Sequence, residues 1–173
     1  MAVVSASAVP DRKIEMGWLA NSGGPPIDPS ARKGVGMKEQ NAPQLNPACV
    51  VCGTENPTGL RITFVKDSAG VRAEWTPTEG WESFRGTVHG GIISSVLDEA
   101  MSRAIVARDW DALTAELTVR FRGRVSPGDE LRVRAWIVDK KKRRIRAEAS
   151  IATISGSERA HAWGTFLSPP DER

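Results

Sequence analysis

The sequence predicts an α+β fold in which one long apolar helix packs against a single antiparallel sheet. Two patterns carry this reading. Residues Gly91–Arg108 place Ile92, Ile93, Val96, Leu97, Ala100, Met101, Ala104 and Ile105 at i, i+3, i+4, i+7 spacing, a broad apolar face about five turns long. A strand-like pair precedes this segment and four strand-like runs follow it, each bounded by turn residues. A helix apolar over more than half its circumference is best buried by a curved sheet that wraps around it.

Residues 1–44 are rich in Gly, Pro, Ser and Asn and show little periodicity, so they read as a flexible or loosely packed N-terminal extension with at most a short helix near Lys13–Leu19. Residues 45–173 form the folded domain. Leu60–Lys66 and Val71–Thr76 alternate apolar and polar residues around the turn Asp67-Ser68-Ala69-Gly70, which predicts a hairpin. After the helix come Leu113–Val125, Leu131–Asp139, Arg143–Ile154 and Arg159–Leu167. The middle pair alternates cleanly. Leu131, Val133, Ala135 and Ile137 oppose Arg132 and Arg134, and Ile145, Ala147, Ala149 and Ile151 oppose Arg144, Arg146 and Glu148. One face of the sheet is therefore buried and the other polar, which gives about six strands in all.

At 173 residues, 40% hydrophobic and 26% charged, the chain has the length and composition of one soluble domain. No run reaches the roughly 20 apolar residues that cross a bilayer, and the N-terminus lacks the basic-then-apolar pattern of a secretory signal. With only Cys49 and Cys52 there is no disulfide framework, so a reducing, cytoplasmic setting is expected. The net charge of +3 is mild but uneven: residues 120–146 hold eleven Lys/Arg against three acids. Such a patch suits a polyanion, an acidic protein or a phosphate-rich ligand, or is a solvated face.

Three stretches say more than the pattern. NPACVVCGTENPTGLRITF, RGTVHGGIISSVLDEAM and LTAELTVRFRGRVSPGDELRVRAWIV together resemble the PaaI-like branch of hotdog-fold acyl-CoA thioesterases. The resemblance runs from about Asn46 to Leu167. It implies a curved antiparallel sheet around one central helix, an active homodimer that often pairs further into a tetramer, an acyl-CoA substrate and no cofactor. It maps the catalytic carboxylate onto Asp98. The glycine amide that meets the thioester carbonyl falls on Gly90, and the hydroxyl that assists the acid or its water falls on Thr114. Many relatives carry Asn or Gln six residues before the histidine, where this sequence has Ser83, so the polar contact of that position differs here.

Elementary chemistry reads the same residues in a compatible way. Gly90 and Gly91 open the helix, where the first N–H groups have no intrahelical partner and the dipole favours an oxygen gaining negative charge. Asp98 sits inside an apolar helix with no cation at i+3 or i+4, whereas Glu99 has Arg103 four residues on and is expected at the surface. Asp98 is therefore the candidate base or nucleophile. Gly90 and Asp98 lie eight residues apart, roughly 12 Å along a helix, too far to serve one carbonyl from the same chain. Two helices meeting across a two-fold axis bring Gly90 of one protomer to Asp98 of the other, so sites shared in a dimer or dimer of dimers are expected. His89 either orients the thioester, the favoured reading, or caps the turn. His161, inside a strand, reads as structural.

Cys49-x-x-Cys52 is half of a zinc site with no second pair to complete it, so no metal is expected and the cysteines are read as packing a turn. Arg120 and Arg122, with Arg124, share a strand face and are candidates for the phosphates of coenzyme A; Lys140–Arg144 reads as a solvated hairpin tip. The rival readings are a hotdog protein that binds an acyl ligand without hydrolysing it, or one acting on carrier-bound biosynthetic chains. Nucleic-acid binding ranks last, because only Phe121 interleaves with the arginines.

Overall fold

The computed structural model describes residues 45–170. The predicted N-terminal extension of residues 1–44 lies outside them. Eight strands and one α-helix appear in the order β1 (Val65–Lys66), β2 (Val71–Trp75), β3 (Glu82–Phe84), β4 (Thr87–Val88), α1 (Gly90–Val106), β5 (Leu113–Phe121), β6 (Leu131–Lys141), β7 (Arg144–Thr153) and β8 (Glu158–Leu167). Six strands make one antiparallel sheet in the order β1-β2-β6-β7-β8-β5, and β3 and β4 form a separate small hairpin. The architecture is the expected α+β arrangement.

The helix buries Ile93, Val96, Leu97, Ala100, Met101, Ala104 and Ile105, seven of the eight apolar positions that predicted it. It packs across β2, β5, β6, β7 and β8, meeting the inward residues of each strand. Leu131, Val133 and Ala135 of β6 and Ile145, Ala147, Ala149 and Ile151 of β7 are all buried, as their alternation required. On β8 the inward set is Ala160, Ala162, Gly164 and Phe166. These small residues let the helix axis come close to the sheet. A Cβ at Gly164 would lie 2.6 Å from Phe166 Cε2 and 3.0 Å from Met101 Sδ.

Two strands are shorter than their patterns predicted. The Leu60–Lys66 run pairs as a strand only at Val65–Lys66. Upstream of that, the amides of Leu60 and Ile62 bond to the carbonyls of Val50 and Val51, and Arg61 takes a left-handed φ of 52°. Backbone pairing to the cysteine loop has replaced pairing to β2. The Leu113–Val125 run ends at Phe121 because the N–H groups of Arg122 and Gly123 both point to the Arg159 carbonyl. That doubled bond breaks the ladder.

Polar contacts pin the helix ends. His89 is the N-cap, its Nδ1 accepting from the Gly91 amide at 2.8 Å. At the other end Lys66 Nζ donates to the Ala107 carbonyl at 2.7 Å, a cation placed where the helix dipole is negative.

Gly164→Ala is expected to destabilise the domain by about 1–3 kcal/mol, because Met101 and Phe166 must both move from fully buried positions. Thermal or urea denaturation measures this, and a neutral result contradicts the close-approach account.

Candidate active site

The site residues are distributed along α1 and the neighbouring edge strand β5, which run side by side. At one end Phe121 lies against Gly90: a Cβ on that glycine would sit 3.4 Å from the Phe121 ring. At the other end Thr114 Oγ1 donates to Asp98 Oδ1 at 2.8 Å. A bulge between Thr114 and Glu116 lets the strand reach the helix there. Gly90 and Asp98 stay the expected distance of roughly 12 Å apart along one helix.

Asp98 is half-buried and has no ion-pair partner among the described residues. Burial pushes its carboxyl above the usual aspartate range; the Thr114 hydrogen bond opposes this, and the charge of Glu99 adds to it. A carboxylate held in this way is a stronger base than an ordinary aspartate.

The two glycines play different parts. A Cβ at Gly91 would fall 2.9 Å from His89 Nδ1, so this glycine makes room for the cap, and its amide is committed to His89. That removes the expected substrate contact from the Gly91 N–H. The Gly90 amide, first in the helix, has no acceptor among the described residues. Gly90 has neither a left-handed φ nor a packing clash that demands glycine. His89 is the cap that its second reading allowed. With Nδ1 accepting, the proton of its neutral form sits on Nε2.

Ser83 lies exposed on β3, in the hairpin that delivers His89, and its hydroxyl makes no hydrogen bond among the described residues. Arg120, in β5, and Arg122, just past its end, flank Phe121 and point away from the helix side. Arg120 lies over the Trp163 ring at 5.9 Å, and Arg122 pairs with Glu158 at 2.5 Å. Arg124 lies beyond the end of β5 and donates to Ser126. The three arginines therefore do not form the single strand face expected, and within one chain they do not join Asp98 and Gly90. Two surface hollows, of about 160 and 260 Å³, lie beside Trp163 and beside Trp75, and neither includes Asp98 or Gly90.

Two further clusters came out of the structure. The cysteine loop folds onto the helix, and Cys49 Sγ lies 3.7 Å from Glu99 Oε2. Glu99 keeps its Arg103 partner at 2.8 Å but is largely covered, not the surface residue expected. Burial, together with hydrogen bonds that the Cys52 thiol donates to Glu99 and Cys49, pushes it up to about 12. On the outer sheet face His161 is buried among Trp136, Trp163, Glu148 and Glu158, in the structural role expected for it.

Residues 85–159 match the thioesterase superfamily model. A crystal structure of a thioesterase superfamily protein is 24% identical with a TM-score of 0.66, covering 70% of this chain and 62% of that one. This chain thus spans less than two thirds of that relative. The PaaI protein from the E. coli phenylacetic acid degradation operon is 21% identical with a TM-score of 0.59, over 62% of this chain and 83% of its own. A hypothetical thioesterase from Streptococcus pneumoniae TIGR4, solved with coenzyme A, is 14% identical with a TM-score of 0.60, over 62% and 85%. The fold is the hotdog fold. In hotdog terms α1 is the central helix and the six-stranded sheet its wrapping, so the PaaI-like resemblance read from the sequence holds at the level of fold and superfamily model. No curated protein sequence matches the chain.

His161 makes the stability of this hotdog domain depend on pH. Burial alone depresses its imidazole, but the hydrogen bonds to Glu148 and Glu158 and their charges outweigh that, so the net shift is upward from 6.5. Stabilisation from the protonated ring is full below pH 6.5 and is lost as pH rises through the higher native value. The melting temperature should therefore fall as pH climbs above 6.5, and His161→Gln should flatten that slope. An unchanged slope in the variant contradicts the assignment.

Proposed function

We propose that this protein hydrolyses an acyl-CoA thioester to free acid and coenzyme A, at sites shared between two copies of the chain in a homodimer or dimer of dimers. The observation that carries the reading is the pairing, along one helix, of a Gly90 amide without an acceptor and an Asp98 carboxylate without a cation among the described residues. In one copy the Gly90 N–H donates a hydrogen bond to the carbonyl oxygen as negative charge develops on it. In the other, Asp98 either attacks the carbonyl carbon or takes a proton from the water that does. Thr114 donates to the carboxylate and favours its charged form, and His89 caps the helix beside Gly90. With Asp98 as base, water adds to the carbonyl carbon, the C–S bond breaks, and the proton taken from water passes to the departing thiolate of coenzyme A. With Asp98 as nucleophile, the thiolate leaves as an acyl anhydride forms, and water then hydrolyses it to the free acid and the Asp98 carboxylate.

The edge strand supports a second copy at this place. Leu113 and Phe121, at the two ends of β5, are 77% and 52% exposed, and Phe84 on the adjoining hairpin is 78% exposed. An apolar edge with unpaired backbone groups is a surface that another strand completes. The relative solved with coenzyme A supports that ligand. The phosphate contacts fall to exposed Arg120 more readily than to Arg122, whose charge is already met by Glu158. Ser83 offers a hydroxyl at the hairpin in place of the amide of many relatives. The soluble, cytoplasmic setting expected from the sequence fits such a substrate, and no described helix is long and apolar enough to cross a membrane.

Thiol release from a panel of acyl-CoA and acyl-carrier substrates tests the activity. Asp98→Asn should lower kcat by about 10²–10⁴-fold with the melt unchanged. Gly90→Pro removes the donor at a helix position that accepts proline, and should cost about 10²–10³-fold. Mixing these two inactive variants should restore about a quarter of wild-type activity, because half of the dimers are hybrids with one intact site of two. No recovery on mixing contradicts the shared site, and turnover of no thioester by the wild type contradicts the hydrolase.

Activity should also report the Asp98 environment. The acid limb of kcat/KM is expected above the ordinary aspartate value of 3.8. Thr114→Val removes a bond that favours the charged form, so the limb should move to still higher pH. A limb that stays put removes Thr114 from the mechanism.

A further inference from the structure

We propose that Cys49, Cys52 and Glu99 form a binding site for a thiolate-preferring divalent cation of the zinc class. The sequence offers only a Cys-x-x-Cys pair; the fold supplies the third ligand, bringing helix α1 against the cysteine loop so that all three ligand atoms lie within 4.8 Å of one another. The Cys49–Glu99 separation matches a tetrahedral centre. Zn–S of about 2.3 Å and Zn–O of about 2.1 Å place sulfur and oxygen about 3.6 Å apart. Cys49 Sγ and Glu99 Oε2 are 3.7 Å apart.

The loop itself is arranged around the sulfur atoms. The Val51 amide points at Cys49 Sγ at 3.4 Å, a donor that supports negative charge on sulfur. The turn closes through the Gly53 amide on the Cys49 carbonyl, and a Cβ at Gly53 would strike the Cys49 amide at 2.4 Å. Asn46 secures the entry through its carbonyl and side chain. Arg103 orients Glu99 from outside at 2.8 Å, the outer-shell contact that a ligating carboxylate ordinarily has.

The charge balance also closes. Binding releases one proton from each thiol, so two thiolates and a carboxylate meet a dication and leave one negative charge, which Arg103 neutralises. The chain has only two histidines. His89 is the helix cap and His161 is buried on the outer sheet face, so among the described residues no fourth protein ligand joins the three, and that position is open to water or an exchangeable ligand. The site would clamp the loop to the helix one residue from Asp98. It stands independently of the thioester chemistry.

The test uses the full chain, reduced, titrated with Co²⁺ and then with Zn²⁺ as competitor, alongside metal analysis of protein purified without chelator. One ion per chain, with thiolate-to-cobalt charge-transfer absorption and a rise in melting temperature on Zn²⁺ addition, is the expected result. The Cys49→Ser/Cys52→Ser double variant should lose the absorption. Arg103→Leu should weaken Zn²⁺ binding by roughly 10–100-fold and Glu99→Gln by about tenfold or more. Co²⁺ bound without a thiolate band, or uptake equal in the double variant, overturns the site. Should the double variant not fold, undiminished affinity in folded Glu99→Gln overturns it equally.

Discussion

Burial of one face of α1 against the sheet is the constraint on which the other features depend. Val96, Leu97, Ala100 and Met101 are fully buried, and this fixes the helix about its own axis. Once that rotation is set, the residues between the apolar positions have no choice of direction. Asp98 is delivered to the β5 edge, where Thr114 meets it, while Glu99, one residue on, is delivered to the cysteine loop. Two neighbouring carboxylates thus acquire different surroundings from the geometry of a single turn. The small inward residues of β8 matter for the same reason, because they set how near the helix lies and hence whether these contacts close.

Much of this was legible in the sequence because it is periodic. The helix, β6 and β7 each announce themselves by repetition, and a buried face that repeats has few places to go. What was misread is local and backbone-made. The amides of Leu60 and Ile62 turn to the cysteine loop, and those of Arg122 and Gly123 share one carbonyl; hydrogen bonds of this kind leave no mark in side-chain pattern. The β3–β4 hairpin has strands of three and two residues, too short for any alternation to register. Asp98 could be singled out because a lone acid in an apolar helix is anomalous. Glu99 looked ordinary, since its i+4 arginine explains it within the helix, and only the fold shows that a distant loop covers it. The commitment of the Gly91 amide to His89 was likewise invisible without a rotamer for the histidine.

The basic segment illustrates why a charge count differs from a charged surface. Arg122 and Arg146 are met by Glu158 and Asp139, and Lys140 lies over the Trp110 ring at 4.1 Å. Arg120 rests on Trp163. Four of the eleven cations in residues 120–146 are thereby taken up by aromatic faces and by acids drawn partly from other strands. The same outer face buries His161 between two tryptophans and two glutamates, so the side of the sheet away from the helix is more than a solvated wall.

The bulge at Ala115 has a consequence for anything laid along β5. A regular edge strand can be joined in several alignments, and a slip of one residue reverses which side chains face inward while sliding the neighbour by about 3.3 Å. The irregularity beside Thr114 breaks that degeneracy, since an incoming ladder that ignores it loses a bonding pair. The edge therefore carries its own registration mark, placed at the end where a misalignment shorter than one peptide unit already separates a carboxylate from whatever it must touch.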